Sequence, residues 1–382
     1  MIDTAFLTEQ DVTQRWHARM IAGGGHAGAS LLRREFELDA DHGHVVKATL
    51  TITAQGIVEA WVNGVSVSDD LMTPGWSAYE WRLRYATHDI TSFLSEKTVL
   101  GLHLGNGWYG GRFGWAENGS WYGDQIAALA QVEVTFHDGH RQLLVTDETW
   151  TWRPSHVQEN DLYDGQTIDA RLRDDSWKRP GFDSASWAPV TTVPFDMSTL
   201  EPYIGPPVRR WTTLPVKEIS TSPTGKTIVD FGQNLVGWVK ARIQGPAGTE
   251  ITIRHAEVLQ DGELATEPLR TARATDRYIL SGGADEFEPT FTFHGFRYAE
   301  VAGWPGEVNP EDLTAVAISS DLKRIGHLTT SNPLLNRFHE NVVWSTRGNF
   351  LDLPPTAPNV TKDLAGPATS PYSPPLPRSC ST

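Results

Sequence analysis

The stretch HVVKATLTITAQGIVEAWVNGVSV (residues 44–67) decides the fold class of this chain. Apolar and polar residues alternate along it, which is typical of strands that bury one face. The alternation breaks at Gly56 and again at Asn63-Gly64. Asn-Gly favours a two-residue hairpin, because both central residues of a type I′ turn need a positive φ. The stretch therefore predicts short antiparallel strands.

The same pattern recurs in IAALAQVEVTFHDGHRQLLVTD (126–147) and TEITIRHAEVLQDGELAT (249–266). Their turns contain Asp138-Gly139 and Asp261-Gly262. Many short strands joined by such turns favour antiparallel sandwiches over alternating β–α–β units. The sequence contains no glycine-rich nucleotide-binding motif. We therefore expect a mainly β protein with two antiparallel, jelly-roll-like β-sandwich domains.

Composition narrows the class of protein further. The chain has 382 residues, 39% of them hydrophobic, which gives room for two or three domains with sizeable cores. Its net charge of −15 argues against a nucleic-acid partner, because phosphates would be repelled. No apolar run approaches the length of a membrane span, and the N-terminus has no signal-peptide pattern. With Cys380 as its one cysteine the chain has no disulfide framework, so we expect a soluble cytoplasmic protein.

The chain holds 15 Trp residues, and Trp suits both sandwich cores and sugar stacking. Core packing is the better expectation for any one of them. The loop LGNGWYGGRFGW (104–115) combines glycines, which allow a close backbone approach, with aromatic and polar side chains. Such a set can frame a sugar, and the alternative is a strand-to-loop corner packed by aromatics. The candidate sugar contacts are Asn106, Trp108, Tyr109, Arg112 and Trp115.

Two carboxylates in LYDGQTIDARL (162–172), Asp164 and Asp169, could form an acid/base pair or a cation site. We favour turn capping for Asp164 and a salt bridge from Asp169 to Arg171.

Other polar residues have mainly structural interpretations. In DFGQNLVGW (230–238), Asp230, Gln233 and Asn234 are expected to satisfy backbone groups in a turn. His255 and Glu257 lie on one side of a strand, but two ligands make a weak metal site, and a solvated pair is favoured.

The pattern changes after the β-rich region. In TSNPLLNRFHENVVWSTRGNF (330–350) the apolar residues fall on one face of a helix, with Asn332 as N-cap and Pro333 in the first turn. A helix with such a stripe needs partners to cover it. The face is made of Leu334, Leu335, Phe338, Val342 and Val343.

These motifs together resemble the bacterial α-L-rhamnosidases of glycoside hydrolase family 78. Residues 28–195 are similar to the family's N-terminal β-sandwich, and DFGQNLVGW with FTFHGFRYAEVAG (291–303) is similar to its second, concanavalin-like β domain. The helical stretch is similar to the start of its (α/α)6 catalytic barrel. The resemblance implies hydrolysis of terminal α-L-rhamnose from glycosides by an inverting acid/base mechanism. Rhamnose-containing glycosides are the implied partners.

The resemblance also implies a metal. Some N-terminal modules of this family bind rhamnose through calcium, and no other cofactor is expected. The acidic pair Asp69 and Asp70 in SDDL (68–71) is the candidate calcium site, with Asn118 as a further polar contact.

The tail PPTAPNVTKDLAGPATSPYSPPLPRSCST (354–382) is dense in Pro and permits neither helix nor sheet. In the family, a catalytic segment of the form P-T-D-C-P-Q-R-D-E-R-L-G-W-T-G-D follows the helix. If one base was lost in the codon of Pro354, codons ACT for Thr356 and GCC for Ala357 restore Asp and Cys. Codons through Thr369 can restore the rest of the motif. We therefore expect an out-of-frame tail, no catalytic residues in this chain and no turnover.

The sequence leaves three readings open: a fragment of an α-L-rhamnosidase, a free-standing carbohydrate-binding β-sandwich protein and a pseudogene product. The oligomeric state is also open. The expected segments are 1–27 (N-terminal segment), 28–195 (first β-sandwich), 196–215 (linker), 216–303 (second β-sandwich), 304–353 (connector and first barrel helix) and 354–382 (disordered tail).

Overall fold

The computed structural model describes residues 16–24, 28–112 and 119–352, and the quoted stretch 44–67 forms strands in it as expected. The strands before the first glycine break and after it lie in two different sheets. Gly56 makes this change of sheet with φ +130°, and a Cβ there would lie 2.5 Å from the carbonyl oxygen of Gly105. The Asn63-Gly64 hairpin is confirmed, and both residues have positive φ.

Twelve strands lie in the described residues up to 169. They are β1 (Ile21–Ala22), β2 (Ser30–Glu37), β3 (Val45–Gln55), β4 (Ile57–Val62), β5 (Val65–Ser66), β6 (Leu83–Asp89), β7 (Lys97–Gly105), β8 (Ala127–Phe136), β9 (Arg141–Val145), β10 (Thr151–Pro154), β11 (Val157–Asp161) and β12 (Gly165–Asp169).

Thirteen further strands lie in residues 170–352. They are β13 (Ala188–Pro189), β14 (Thr191–Thr192), β15 (Leu200–Pro202), β16 (Val208–Pro215), β17 (Glu218–Thr221), β18 (Thr227–Gln244), β19 (Glu250–Ala256), β20 (Leu259–Gln260), β21 (Glu263–Leu264), β22 (Thr275–Ile279), β23 (Ala284–Phe287), β24 (His294–Ala302) and β25 (Leu313–Ser320).

Helices are few. They are α1 (Gly107–Gly110) and α2 (Pro333–Gly348), with 3₁₀ turns at Thr91–Phe93, Ala170–Leu172, Asp175–Lys178, Met197–Thr199, Glu267–Leu269 and Pro310–Asp312. No helix in the described ranges is long and apolar enough to cross a membrane.

The first domain is a sandwich of two sheets. One sheet has the order β14-β1-β8-β3-β6-β15, with β9 on β8, and the other has the order β13-β10-β2-β7-β4-β5. Their facing apolar side chains, such as Leu32, Leu50 and Leu102, form a buried core. The pairs are antiparallel except β15 with β6. The predicted first sandwich is therefore present, and β1 places residues of the expected N-terminal segment inside it.

The second domain is built on one curled ten-stranded sheet with the order β11-β12-β22-β19-β24-β18-β25-β16, and β17 and β23 also pair with β18. This sheet is the concanavalin-like half-barrel of the mainly β fold. Its inner side chains include Trp238, Tyr278 and Phe296, all less than 2% exposed. A small β20–β21 hairpin turns at Asp261-Gly262, where both residues have positive φ as predicted.

Strand pairing divides the chain differently from the predicted segments. The strands β11 and β12 lie within the predicted range of the first sandwich but pair into the ten-stranded sheet of the second domain, where β12 runs parallel to β22. The predicted linker 196–215 contains β15, which pairs with the first sandwich, and β16, which pairs with β25. The strand β25 lies beyond the predicted end at 303. Pro-rich sequence misled the linker assignment, because edge strands tolerate Pro.

The strands β18 and β25 approach each other closely at Gly237. This residue has φ +153°, and a Cβ would overlap the carbonyl oxygen of Val316. Only glycine therefore fits this position of the central strand.

We predict that Gly237→Ala lowers the free energy of unfolding by more than about 3 kcal/mol, since backbone strain and overlap act together. The matched control is Gly139→Ala, which also replaces a glycine at positive φ but has nothing within 4 Å. It should cost about 1 kcal/mol. Urea unfolding followed by tryptophan fluorescence measures both. Equal losses would contradict the close approach of β18 and β25.

Candidate functional site

The predicted sugar loop forms one helical turn, α1, directly after β7. Asn106 is held by Asn160: its backbone N–H donates to Oδ1 at 2.6 Å and its Nδ2 donates to the carbonyl oxygen at 2.8 Å. Trp108 is buried, with 8% of its surface exposed, and packs near Phe293 of the second domain. The side chains of Asn106 and Trp108 thus fix this loop to β11 and to the second domain.

Arg112 is also engaged. Its guanidinium donates to both carboxylate oxygens of Asp164 at 2.7 and 2.8 Å and to Thr271. Tyr109 makes an edge contact with Tyr79, and burial raises its pKa. These contacts fit the packed-corner alternative. Trp115 and Asn118 lie outside the described residues, so a sugar site in this loop stays a prediction.

The two candidate calcium residues both pair with the side chain of Arg209. Asp70 accepts a hydrogen bond from Arg209 at 3.0 Å, and Asp69 lies 3.3 Å from the same guanidinium. Asp321 also pairs with Arg209. Because the arginine lies where both carboxylates can reach it, a Ca²⁺ ion, which needs six to eight oxygen ligands, would have to displace the guanidinium. A calcium site here stays a prediction.

The acidic residues of LYDGQTIDARL form ion pairs. Asp169 pairs with Arg171 at 2.7 Å, as favoured from the sequence, and this hydrogen bond lowers the pKa of Asp169. Asp164 binds Arg112 rather than capping the turn. The turn is capped by Asp161, whose carboxylate accepts the backbone N–H groups of Tyr163 and Asp164. Burial raises the pKa of Asp161.

The DFGQN segment forms a bulge in β18, where the register with β24 shifts between Asp230 and Leu235. Gly232 has φ +77° in this bulge, and its N–H donates to Asp230 at 2.6 Å. The same carboxylate accepts two hydrogen bonds of 2.8 Å from Arg297, which lower its pKa. Asn234 does not satisfy the backbone but donates to Glu257 at 2.7 Å.

A polar cleft of about 500 Å³ lies between this bulge and helix α2. Its polar groups suit a hydroxyl-rich molecule or water. They come from the second domain on one side and from the helix on the other. The lining includes Gln233, Asn234, Glu257, Arg297, Arg337, Asn341 and Trp344.

Helix α2 is held at its C-terminal half. Asn332 caps its N-terminus, and its Oδ1 accepts from the N–H of Leu334 at 2.9 Å, as predicted. Trp344 packs edge-on against Trp211 of β16 with ring centroids 4.5 Å apart, and Arg347 lies over the same ring. The opposite face, Leu334, Leu335, Phe338 and Val342, is exposed.

The chain after α2 is fixed by a buried carboxylate, which we call the Asp352 anchor. Asp352 has 3% of its side chain exposed and pairs with Arg84 of the first domain. Its carboxylate also accepts from Tyr203 at 2.9 Å and from the backbone N–H of Trp76 at 3.0 Å. Gly75 allows this approach, since a Cβ would overlap the carboxylate. The anchor thus ties α2 to the first sandwich.

Sequence reasoning missed this anchor, because its partners are 268 residues apart and no local pattern links them. It also missed that His255 is fully buried and so not part of a solvated pair. The only sequence signals were a Gly-Trp pair after Pro74 and an isolated acidic residue after the helix.

Two protein-family models match the sequence of these domains. Residues 43–212 match the α-L-rhamnosidase N-terminal domain, and residues 220–319 match the bacterial α-L-rhamnosidase concanavalin-like domain. Together they cover more than half of the chain.

Two similar curated proteins are α-L-rhamnosidases. One from Streptomyces avermitilis is 37% identical over 358 residues and covers 90% of this chain and 34% of its own length. One from Formosa agariphila is 36% identical, with 86% of this chain and 36% of its own length covered. The chain therefore spans about a third of the length of these relatives.

Solved structures give the same result. The Aspergillus terreus α-L-rhamnosidase superimposes with a TM-score of 0.86 at 39% identity, covering 91% of this chain and 41% of that one. The Streptomyces avermitilis enzyme, solved in complex with L-rhamnose, gives a TM-score of 0.85 at 38% identity, covering 88% and 33%.

We predict that Arg84→Met costs about 3–5 kcal/mol of unfolding free energy, because it leaves the buried Asp352 carboxylate without a counter-charge. The control is Arg19→Met, which removes a surface pair with Glu148 whose side chains are 63% and 62% exposed, and should cost about 0–1 kcal/mol. Urea unfolding measures both. The double variant Arg84→Met/Asp352→Leu should recover part of the loss; no recovery would show that the loss comes from elsewhere.

Proposed function

From the premise that this chain belongs to the α-L-rhamnosidase family through its N-terminal and concanavalin-like domains, we propose that it is the N-terminal portion of such an enzyme. The parent enzyme would hydrolyse terminal non-reducing α-L-rhamnose from glycosides with inversion, using one carboxyl group as general acid and a second as general base. The two β domains serve as the scaffold on which the catalytic helices assemble.

The single observation that carries this proposal is that helix α2 packs on one face and exposes apolar side chains on the other. One side is held by Trp211 and by the Asp352 anchor. On the other side, Leu334 is 79% exposed and Phe338 is 64% exposed. A contiguous exposed apolar stripe of this kind marks a contact surface. Further helices of a barrel would cover it, whereas a free-standing sugar-binding sandwich has no use for it.

The acidic residues that the sequence singled out support a scaffold role for this chain. Asp164, Asp169 and Asp230 are bound by arginines, and Glu257 accepts a hydrogen bond from Asn234. A general acid needs a raised pKa and a free approach to the leaving oxygen. The pKa values of Asp169 and Asp230 are instead lowered by their partners. We therefore expect the catalytic carboxylates to come from the segment that follows Asp352 in the parent enzyme.

The amino acids after the Asp352 anchor indicate which family segment the tail derives from. The tail 354–382 lies outside the described residues, and its amino acids limit the codons that can encode it. Shifting the reading frame at Pro354 can restore P-T-D-C-P-Q-R-D-E-R-L-G-W-T-G-D through Thr369. Two of three bases are fixed for each restored residue, which makes a match of this length hard to ascribe to chance.

We predict that one base inserted in the codon of Pro354 opens a frame that encodes this motif and several hundred further residues of helical hairpins. The longer product should hydrolyse p-nitrophenyl α-L-rhamnoside, because the restored carboxylates complete the acid/base pair. Release of p-nitrophenolate measures this. The 382-residue chain is the matched control and should give no turnover.

Two results would contradict the proposal. The first is a shifted frame that stops at once or encodes an unrelated sequence. The second is rhamnosidase activity in the 382-residue chain itself, which would place catalytic groups before residue 354.

We further predict that Leu334→Lys/Phe338→Lys reduces self-association of the 382-residue chain, because it places charge on the exposed stripe. The control, Asn341→Lys/Ser345→Lys, adds the same charge at exposed polar positions of the same helix. Light scattering at increasing protein concentration compares the variants. If both double variants change the particle size equally, net charge and not the apolar stripe governs association.

A further inference from the structure

Three neighbouring strands of the second domain bring together a cluster that no family feature described above uses. His255 lies on β19, Asp276 on β22 and His294 on β24, and these strands are adjacent in the order β22-β19-β24. His255 and Asp276 are fully buried, and His294 is 2% exposed. We call these residues the His–Asp–His cluster.

The potential ligand atoms of the cluster face one another. The Nε2 atom of His294 lies 3.2 Å from each carboxylate oxygen of Asp276. The Nε2 atom of His255 lies 3.9 Å from Oδ2 of the same carboxylate. One ligand atom from each residue can be chosen so that all three lie within 4.8 Å of one another.

The tautomer of His255 leaves a lone pair inside the cluster. Its Nδ1 lies 3.0 Å from the carbonyl oxygen of Ala274, and a carbonyl only accepts, so Nδ1 carries the proton. The Nε2 atom has no hydrogen-bond partner within the part of the chain that the structure describes. The buried lone pair of this Nε2 atom therefore faces the carboxylate of Asp276.

The groups around the cluster fix its carboxylate. Oδ1 of Asp276 accepts the backbone N–H of Gln166 at 3.0 Å. Gly165 lets β12 approach this closely, since a Cβ would overlap the carbonyl oxygen of Thr275. Together with the Ala274 carbonyl on His255, these contacts resemble the outer shell that orients ligands at metal sites.

We propose that His255, Asp276 and His294 bind one divalent transition-metal ion of the zinc class through two imidazole nitrogens and one carboxylate oxygen. Two nitrogens and one oxygen suit Zn²⁺, whereas Ca²⁺ and Mg²⁺ prefer oxygen alone. Ligands at about 2.0–2.1 Å from zinc lie roughly 3.3 Å apart. The 3.2 Å between His294 and Asp276 is close to this value, and His255, at 3.9 Å from Asp276, would have to move closer. The ion would cross-link three strands of the curled sheet, and this inference is independent of the proposed function.

Binding includes a small rearrangement. The two imidazole rings are stacked with centroids 4.3 Å apart and planes inclined by 21°. One ring must rotate for both Nε2 lone pairs to converge on a single ion. The geometry of the bound site is therefore distinguishable by spectroscopy from a hydrogen-bonded cluster.

The test uses the full 382-residue chain. After purification without chelators, elemental analysis should find about one zinc per chain, and stripping with a chelator should lower the melting temperature reversibly. Cobalt(II) added to the stripped chain should give visible d–d bands of a low-coordinate site with nitrogen and oxygen ligands. His255→Gln and His294→Gln should each lose the zinc and the bands.

The matched control is a surface cluster that could hold zinc adventitiously. His42 and His140 stack with ring centroids 3.6 Å apart and pair with Asp138 and Asp39 at 2.7 Å each. His140→Gln should leave the zinc content and the cobalt spectrum unchanged.

Three results would overturn the proposal. The first is a purified wild-type chain that contains only a trace of metal and whose melting temperature does not change when zinc is added. The second is a zinc content that falls in His140→Gln but is unchanged in His255→Gln. Should the His255 and His294 variants not fold, the wild-type chain decides: octahedral or absent cobalt bands overturn the site, and low-coordinate bands that persist in His140→Gln support it.

Discussion

The pairing of Arg84 with the buried carboxylate of Asp352 fixes where the chain leaves the two β domains. A buried carboxylate is costly unless it is paired and hydrogen-bonded, and here Arg84, Tyr203 and the Trp76 N–H all donate to it. The anchor can form only if the first sandwich, the strand β25 and helix α2 already lie in their observed positions, because Ser320 at the end of β25 accepts the N–H of Asp352. One residue thus reports on the placement of three parts of the molecule.

The strands of the two domains are interleaved along the chain. After β10 the chain enters the ten-stranded sheet of the second domain to form β11 and β12. It returns to the first sandwich for β13 to β15 and enters the ten-stranded sheet again at β16. One buried apolar cluster accordingly includes Trp108 and Leu200 as well as Trp238 and Phe296. Neither domain is complete without sequence from the other's range. Such a scaffold is suited to hold helix α2 in one position.

Local patterns predicted the strands in 44–67, 126–147 and 249–266, because alternation and Asn-Gly or Asp-Gly turns act over a few residues. The same reasoning gave the N-cap at Asn332 and the ion pair of Asp169 with Arg171. Contacts between distant strands could not be predicted in this way. The parallel pairing of β12 with β22, the Asp352 anchor and the His–Asp–His cluster each join residues far apart in sequence. Trp108 illustrates the same limit. The sequence around a Trp in a glycine-rich loop looks the same whether the ring stacks on a sugar or packs in the core, and in this structure Trp108 is buried.

The central claim is that the chain beyond the anchor derives from a rhamnosidase catalytic segment, and the nucleotide sequence of codons 354–369 tests it most directly. Many codons serve for each residue, but only one set of third bases restores the motif in the shifted frame. We expect ACT for Thr356, GCC for Ala357, GTG for Val360 and GCG for Ala368. Third bases that give stop codons or unrelated residues in the shifted frame would contradict the claim.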